Sequence, residues 1–110
     1  MQDEAALFKV LGDPTRLRLA VLLAIQGETC VCTLAQALDE PDFKVSRHLG
    51  IMRSAGMVEA RRDGTWMYYQ LAGPRHCLEQ CLQECFRGCL ADHKTVNADT
   101  KRMKKATCTK

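Results

Sequence analysis

The sequence predicts a mainly α fold, a winged helix-turn-helix in the order α-α-α-α-β-β-α. Two short helical stretches are separated by a tight polar break at Asp39, Glu40 and Pro41. An Asp63-Gly64 pair then stands between two strand-like runs, the strongest two-residue hairpin signal. In a fold of this kind the second helix of the motif enters the major groove. Arginines on the hairpin can reach the backbone or the minor groove.

The elements follow in order. "DEAALFKVL" (3–11) starts acidic and repeats apolar residues at helical spacing, which predicts a short helix. In "GDPTRLRLAVLLAIQG", Asp13 suits an N-cap and Pro14 the first helical position. Leu17, Val21 and Ala24 form a stripe widened by Leu19, Leu22 and Leu23, so this helix is central, and Gly27 ends it. In "ETCVCTLAQAL", Thr33 and Gln36 fit a capping box. That box starts the helix near Leu34 and leaves Cys30 and Cys32 ahead of it; a start at Thr29 or Cys30 is the alternative. "DFKVSRHLGIMRSAG" predicts a helix from Asp42 to Ala55, with Val45, Leu49 and Met52 on its apolar face. Met57 and Val58 lead into the hairpin, and Trp66 to Leu71 form its return strand. In "GPRHCLEQCLQECFRGCLADH", the pairs Cys77-Leu78, Cys81-Leu82, Cys85-Phe86 and Cys89-Leu90 recur every four residues along one helix. Residues 94–110 are basic and unpatterned and are expected to be a disordered tail, leaving one domain, 1–93, for DNA binding and dimerisation.

The chain has 110 residues and is 46% hydrophobic but only 5% aromatic, so its core is thin and a dimer is expected. It lacks a run of about 18 apolar residues, and its first residues have no basic start or apolar core, so no membrane partner and a cytoplasmic location are expected. The net charge of +3 comes from the tail, where six cations face Asp99. The more telling patch is 44–62, where Lys44, Arg47, Arg53, Arg61 and Arg62 face Glu59 alone. Seven cysteines, an odd number, argue against a disulfide framework and for metal or redox chemistry. Neither a phosphate-binding loop nor a nucleophile–base–acid arrangement is legible, so no enzyme is expected.

"LGDPTRLRLAVLL", "ETCVCTLAQAL" and "KVSRHLGIMRSAGMVEARRDGTWMYYQL" together resemble the ArsR/SmtB family of metalloregulatory repressors. The resemblance covers about residues 5–72, and "ETCVCTL" is similar to its arsenic-sensing branch. It implies a homodimer, joined through the first and last helices, that binds double-stranded operator DNA and leaves it when a thiophilic ion binds. It implies no obligatory cofactor, only an inducer, As(III) or Sb(III), held by thiolates. Methylarsenite and cadmium or lead are the alternative inducers. A thiol-redox or metal-carrier protein is the alternative of another class. The departures are informative. Thr29 and Thr33 stand where Leu and Asp are usual, and Ala35 stands where the arsenic branch often has a third cysteine. His76, Asp92 and His93 do not fit the family's helical zinc site, and no cysteine precedes Cys30 as in the cadmium and lead branch.

Cys30 and Cys32 are therefore the candidate metalloid ligands, since soft thiolates select soft ions. In a regular helix their side chains lie roughly 200° apart, so chelation needs extended or distorted backbone. An ion that draws them together would strain the first helix of the DNA-binding motif. Two small buried hydrophobes are the alternative role. Cys77, Cys81, Cys85 and Cys89 drift roughly 40° per step and suit an apolar dimer contact. They and Cys108, otherwise an idle tail thiol, are the candidates for a third ligand. Lys44, Ser46, Arg47 and His48 match the family's recognition helix and are the candidate contacts to phosphates and base edges. Arg61 and Arg62 serve the wing, while Trp66 and Tyr68 or Tyr69 are expected to be strand packing rather than base stacking.

Overall fold

A computed structural model describes residues 1–108. Acidic residues in the first turn favour the first helix, and a side-chain cap starts the second. Helix α1 (Gln2–Leu11) carries Asp3 and Glu4 in its first turn. Helix α2 (Pro14–Gln26) starts where Asp13 Oδ1 accepts from the backbone N–H of Thr15 (2.8 Å) and Arg16 (3.1 Å). Leu19, Ala20, Val21, Leu22 and Leu23 of α2 are all buried, which makes α2 the axis of the core.

A two-residue strand, β1 (Thr29–Cys30), runs directly into α3 (Val31–Leu38). Asp39, with φ 56°, turns the chain, and α4 (Asp42–Ser54) follows after Pro41. Val45, Leu49 and Met52 of α4 pack fully buried against Leu34 and the α2 leucines. Strands β2 (Val58–Asp63) and β3 (Trp66–Leu71) form the hairpin. The sheet has three antiparallel strands in the order β1-β3-β2, because Thr29 pairs with Tyr69 and Cys30 with Tyr68. Helix α5 (Cys77–Gly88) buries Phe86 and Glu79, and α6 (Lys94–Lys104) packs on α3 and α2.

Four expectations need correction. The tail predicted as disordered contains α6, held by His93 as N-cap and by buried Val96 and Asp99. The hairpin closes through Gly64 and Thr65, because Asp63 still pairs with Trp66. Helix α3 starts at Val31, three residues before the capping box would place it. Among the described residues there is also one disulfide, Cys32–Cys108, where none was expected.

Asp99 explains why α6 stays. Its carboxylate is fully buried and accepts from Arg18 Nη2 (2.6 Å) and Nε (3.0 Å) and from Arg102 Nη2 (2.7 Å). The same two arginines donate to the last carbonyls of α3, Arg102 Nε to Ala37 O (2.7 Å) and Arg18 Nη2 to Leu38 O (3.3 Å). One buried charge thus ties α2, α3 and α6 together.

A second clamp holds α5. Glu79 is 4% exposed, and its Oε1 accepts from the Arg75 backbone N–H (3.1 Å) and Nε (2.8 Å). Burial pushes the Glu79 carboxyl up, but the Arg75 bonds outweigh it and hold it below its ordinary value. A depressed carboxyl stabilises the fold above its unfolded pKa, and that contribution fades as pH falls through the folded value. Glu79→Gln is expected to cost about 1–2 kcal/mol at neutral pH. Urea midpoints should show the difference shrinking below about pH 4. A pH-independent difference would contradict the ionic role.

Candidate functional site

The segment 28–32 is a joint between sheet and helix. Cys30 ends β1 and is also the N-cap of α3, with extended angles of φ −69° and ψ 144°. It is a buried free thiol. Cys32 lies two residues further, inside the helix, and is bonded to Cys108. The two candidate ligands thus flank the extended-to-helix transition. An open hollow of about 370 Å³ beside the joint is lined by Glu28, Cys30, Thr33, Trp66, Tyr68 and Cys108. Cys32 opens onto a neighbouring hollow that shares Trp66, the chain's one tryptophan. Trp66 Nε1 is buried without a hydrogen-bond partner among the described residues.

Gln36 does not return to cap α3. Its side-chain Nε2 donates to the Thr107 carbonyl (2.8 Å), and its Oε1 accepts from the Thr107 N–H (3.1 Å). This two-way amide pairing sets the chain end against α3. Cys108 is consequently not an idle thiol: positions 76 apart in sequence meet with Cα atoms 6.3 Å apart. Sequence reasoning missed this because it missed α6. The available signal was Val96, Thr100 and Met103, one face at helical spacing behind His93.

The cysteines of α5 lie elsewhere. Cys77, Cys81 and Cys89 are exposed, and Cys85 is partly so. A hydrogen bond with Cys89, aided by burial, raises the Cys85 thiol above its ordinary value. Among the described residues, no group of three or more His, Cys, Asp or Glu side chains is placed to hold a metal ion.

The second surface is α4 with the wing. Ser46 and Arg47 are exposed, and beside them Phe43 is 75% exposed, a residue sequence reasoning passed over. Lys44 is partly exposed, with Nζ 3.1 Å from Glu40 Oε1. His48 does not share this face. It is buried with Nδ1 3.2 Å from Arg16 Nη1, while Arg16 Nε donates to Val10 O (2.7 Å). It braces α4 against α2 and α1. On the wing, Arg61 donates to Glu28 (2.7 and 3.2 Å) and stacks 4.9 Å over the Tyr68 ring. The Arg61 bonds hold the Glu28 carboxyl below its ordinary value. Arg62 is exposed and makes no salt bridge among the described residues. Arg61 therefore ties the wing to the segment that carries Cys30.

An exposed helix behind a tight turn, flanked by a basic β-wing, defines the class: a DNA-binding winged helix-turn-helix regulator, not an enzyme. Residues 13–60 match the family model described as "Bacterial regulatory protein, arsR family". The arsenical resistance operon repressor of Escherichia coli K12 is 47% identical over 66 residues, covering 60% of this chain. This chain spans 56% of that repressor's length. The homodimeric winged helix-turn-helix domain of a possible ArsR-family regulator from Mycobacterium bovis superposes with a TM-score of 0.66 at 35% identity, covering 84% of this chain and 86% of that one. The cadmium metal-sensor CMTR from Mycobacterium tuberculosis does so at 0.57 and 36%, covering 73% and 80%. The chain belongs to the ArsR family of bacterial transcriptional regulators.

Proposed function

We propose that this chain is a metalloid-responsive repressor, a homodimer that holds operator DNA and releases it when As(III) or Sb(III) binds the Cys30 and Cys32 thiolates. The observation that carries this reading is their placement at the β1–α3 joint, from which three connections lead to the DNA surface. Cys30 pairs with Tyr68 of the wing strand β3, Glu28 holds Arg61, and α3 itself leads through the Asp39 turn into α4. An ion that draws Cys30 and a reduced Cys32 together shifts the start of α3 relative to the sheet. That shift reaches α4 and the wing together. The likeness to the Escherichia coli arsenical repressor supports the ion class.

Ser46, Arg47 and Arg62 are the exposed DNA contacts of this reading; Lys44 joins them if it leaves Glu40, Arg61 couples the wing to the sensor, and His48 positions α4 from beneath. The dimer forms through α1 and α5, whose outer faces carry Phe8 and the cysteine stripe. No helix among the described residues is long and apolar enough to cross a membrane.

The test is operator binding by the reduced chain, followed by fluorescence anisotropy with and without arsenite. Wild type is expected to release DNA on arsenite addition. Cys30→Ser and Cys32→Ser should still bind DNA but need roughly 10–100-fold more arsenite to leave it. Unchanged arsenite affinity in both variants refutes the site. The resemblance to a cadmium sensor favours one further reading, in which cadmium is the inducer. Release by cadmium but not by arsenite would establish it instead.

A further inference from the structure

We propose that Cys108 supplies the third thiolate of the metalloid site, and that the Cys32–Cys108 disulfide is the oxidised state of that site, unable to take the ion. This rests on the reading of Cys30 and Cys32 given above. A trivalent arsenic centre satisfied by sulfur takes three thiolates, and the β1–α3 joint offers only two. Ala35, the position where a third cysteine would be nearest in sequence, is 2% exposed and packed in the core. The α5 cysteines line neither hollow beside the joint.

Cys108 meets each requirement that these residues fail. Its sulfur contacts that of Cys32 directly, so reduction leaves two thiols side by side. It lines the same open hollow as Cys30, beside the start of α3. Its position is built rather than incidental. The Asp99 clamp seats α6, Arg102 donates to Ala37 O, and the Gln36 amide grips Thr107 on both its N–H and its carbonyl. The same Gln36 Nε2 lies 3.2 Å from Cys32 Sγ and 3.4 Å from Cys108 Sγ. An N–H donor between two sulfurs suits the negative charge that both carry as ligands. Thr33 Oγ1 also lies 3.8 Å from Cys108 Sγ.

The chemistry balances in two steps. Two equivalents of a small cellular thiol reduce the disulfide: the thiols become R–S–S–R, and their two electrons and two protons leave Cys32 and Cys108 as S–H groups. Arsenous acid, As(OH)₃, then exchanges each As–O bond for an As–S bond. The three cysteine protons depart with the three hydroxyls as water, and arsenic remains trivalent throughout. With the disulfide closed, only Cys30 is free and the site holds one thiol. Oxidant and metalloid therefore compete for the same pair of sulfurs.

The experiment uses the full chain, reduced, with sodium arsenite and phenylarsine oxide as probes. Arsenite exchanges three oxygens; phenylarsine oxide can engage only two thiolates. Binding is read by Trp66 fluorescence, and the sulfur count around bound arsenite by arsenic-edge X-ray absorption. Wild type should show three sulfurs. Cys108→Ser should show two sulfurs and an oxygen, lose roughly 10–100-fold in arsenite affinity, and keep its affinity for phenylarsine oxide. The oxidised wild-type chain should bind no arsenite until a thiol is added, and peptide mapping should join Cys32 to Cys108. Three sulfurs retained in Cys108→Ser, or equal losses for both probes, overturn the proposal. In that case, losses in Cys30→Ser and Cys32→Ser leave the metalloid reading standing. A reduced wild-type chain that binds no arsenite overturns both.

Discussion

Arg47→Ala is expected to weaken operator binding by about 1–3 kcal/mol per half-site, roughly 10–100-fold. Arg47 is the one cation of α4 that is exposed near its N-terminal half and unclaimed by a salt bridge among the described residues. Lys44 on the same helix starts out paired with Glu40, so Lys44→Ala should cost less. Anisotropy titrations across a salt series separate two roles for Arg47. A phosphate contact lowers affinity for all sequences and makes the salt slope shallower. A guanine contact leaves the slope nearly intact and relaxes preference at one base position. His48→Ala is a useful contrast: its ring is buried against Arg16, so it should lower stability before it alters sequence preference. Arg47→Ala binding the operator as wild type does would remove α4 from the reading surface.

Asp99→Ala is expected to cost about 3–5 kcal/mol, the usual penalty for removing one partner of a buried ion pair. Asp99 has no solvent exposure and accepts from two arginines, and the Arg18 guanidinium is held above its ordinary value chiefly by its bond to that carboxylate. Against a total stability of about 5–15 kcal/mol, such a loss is felt across the domain. It should be felt first in α6. Hydrogen exchange in the reduced chain is expected to show α6 amides losing protection before those of α2. In the oxidised chain the disulfide should retain the arm near α3. Urea midpoints within about 0.5 kcal/mol of wild type would show that the Arg18–Asp99–Arg102 network is worth no more than a surface pair.

Much of the fold was legible because period and punctuation agree. Asp13-Pro14, the wide leucine stripe of α2 and the Asp39–Pro41 break each have one physical meaning, and the structure follows them. What escaped has physical causes too. β1 is two residues long, too short to leave a period, and exists because Thr29 and Cys30 find the free edge of β3. α6 hides its apolar face among lysines and buries an aspartate at its centre, so composition suggests disorder where a tertiary ion network supplies order. The Gln36 side chain fitted a local capping box in sequence, but its amide found a better partner at Thr107, 71 residues away. The cysteine pair was legible as a candidate site; Cys108 was legible only as one of several candidate partners, because only the path of α6 brings residue 108 back to residue 32.

The pairing of Cys32 with Cys108 also has a polymer consequence. It closes a ring with a sequence separation of 76 that encloses α4, the wing, α5 and α6, while α1 and α2 stay outside. In the chain-entropy model a ring of that size removes roughly 4–5 kcal/mol of freedom from the unfolded chain. Reduction that opens the site would therefore also loosen the half of the molecule that reads DNA. An ion shared by the same two sulfurs would close the ring again, with the metalloid in place of the sulfur–sulfur bond. Sensor occupancy and the mechanical integrity of the DNA-reading half would then be set by one cross-link.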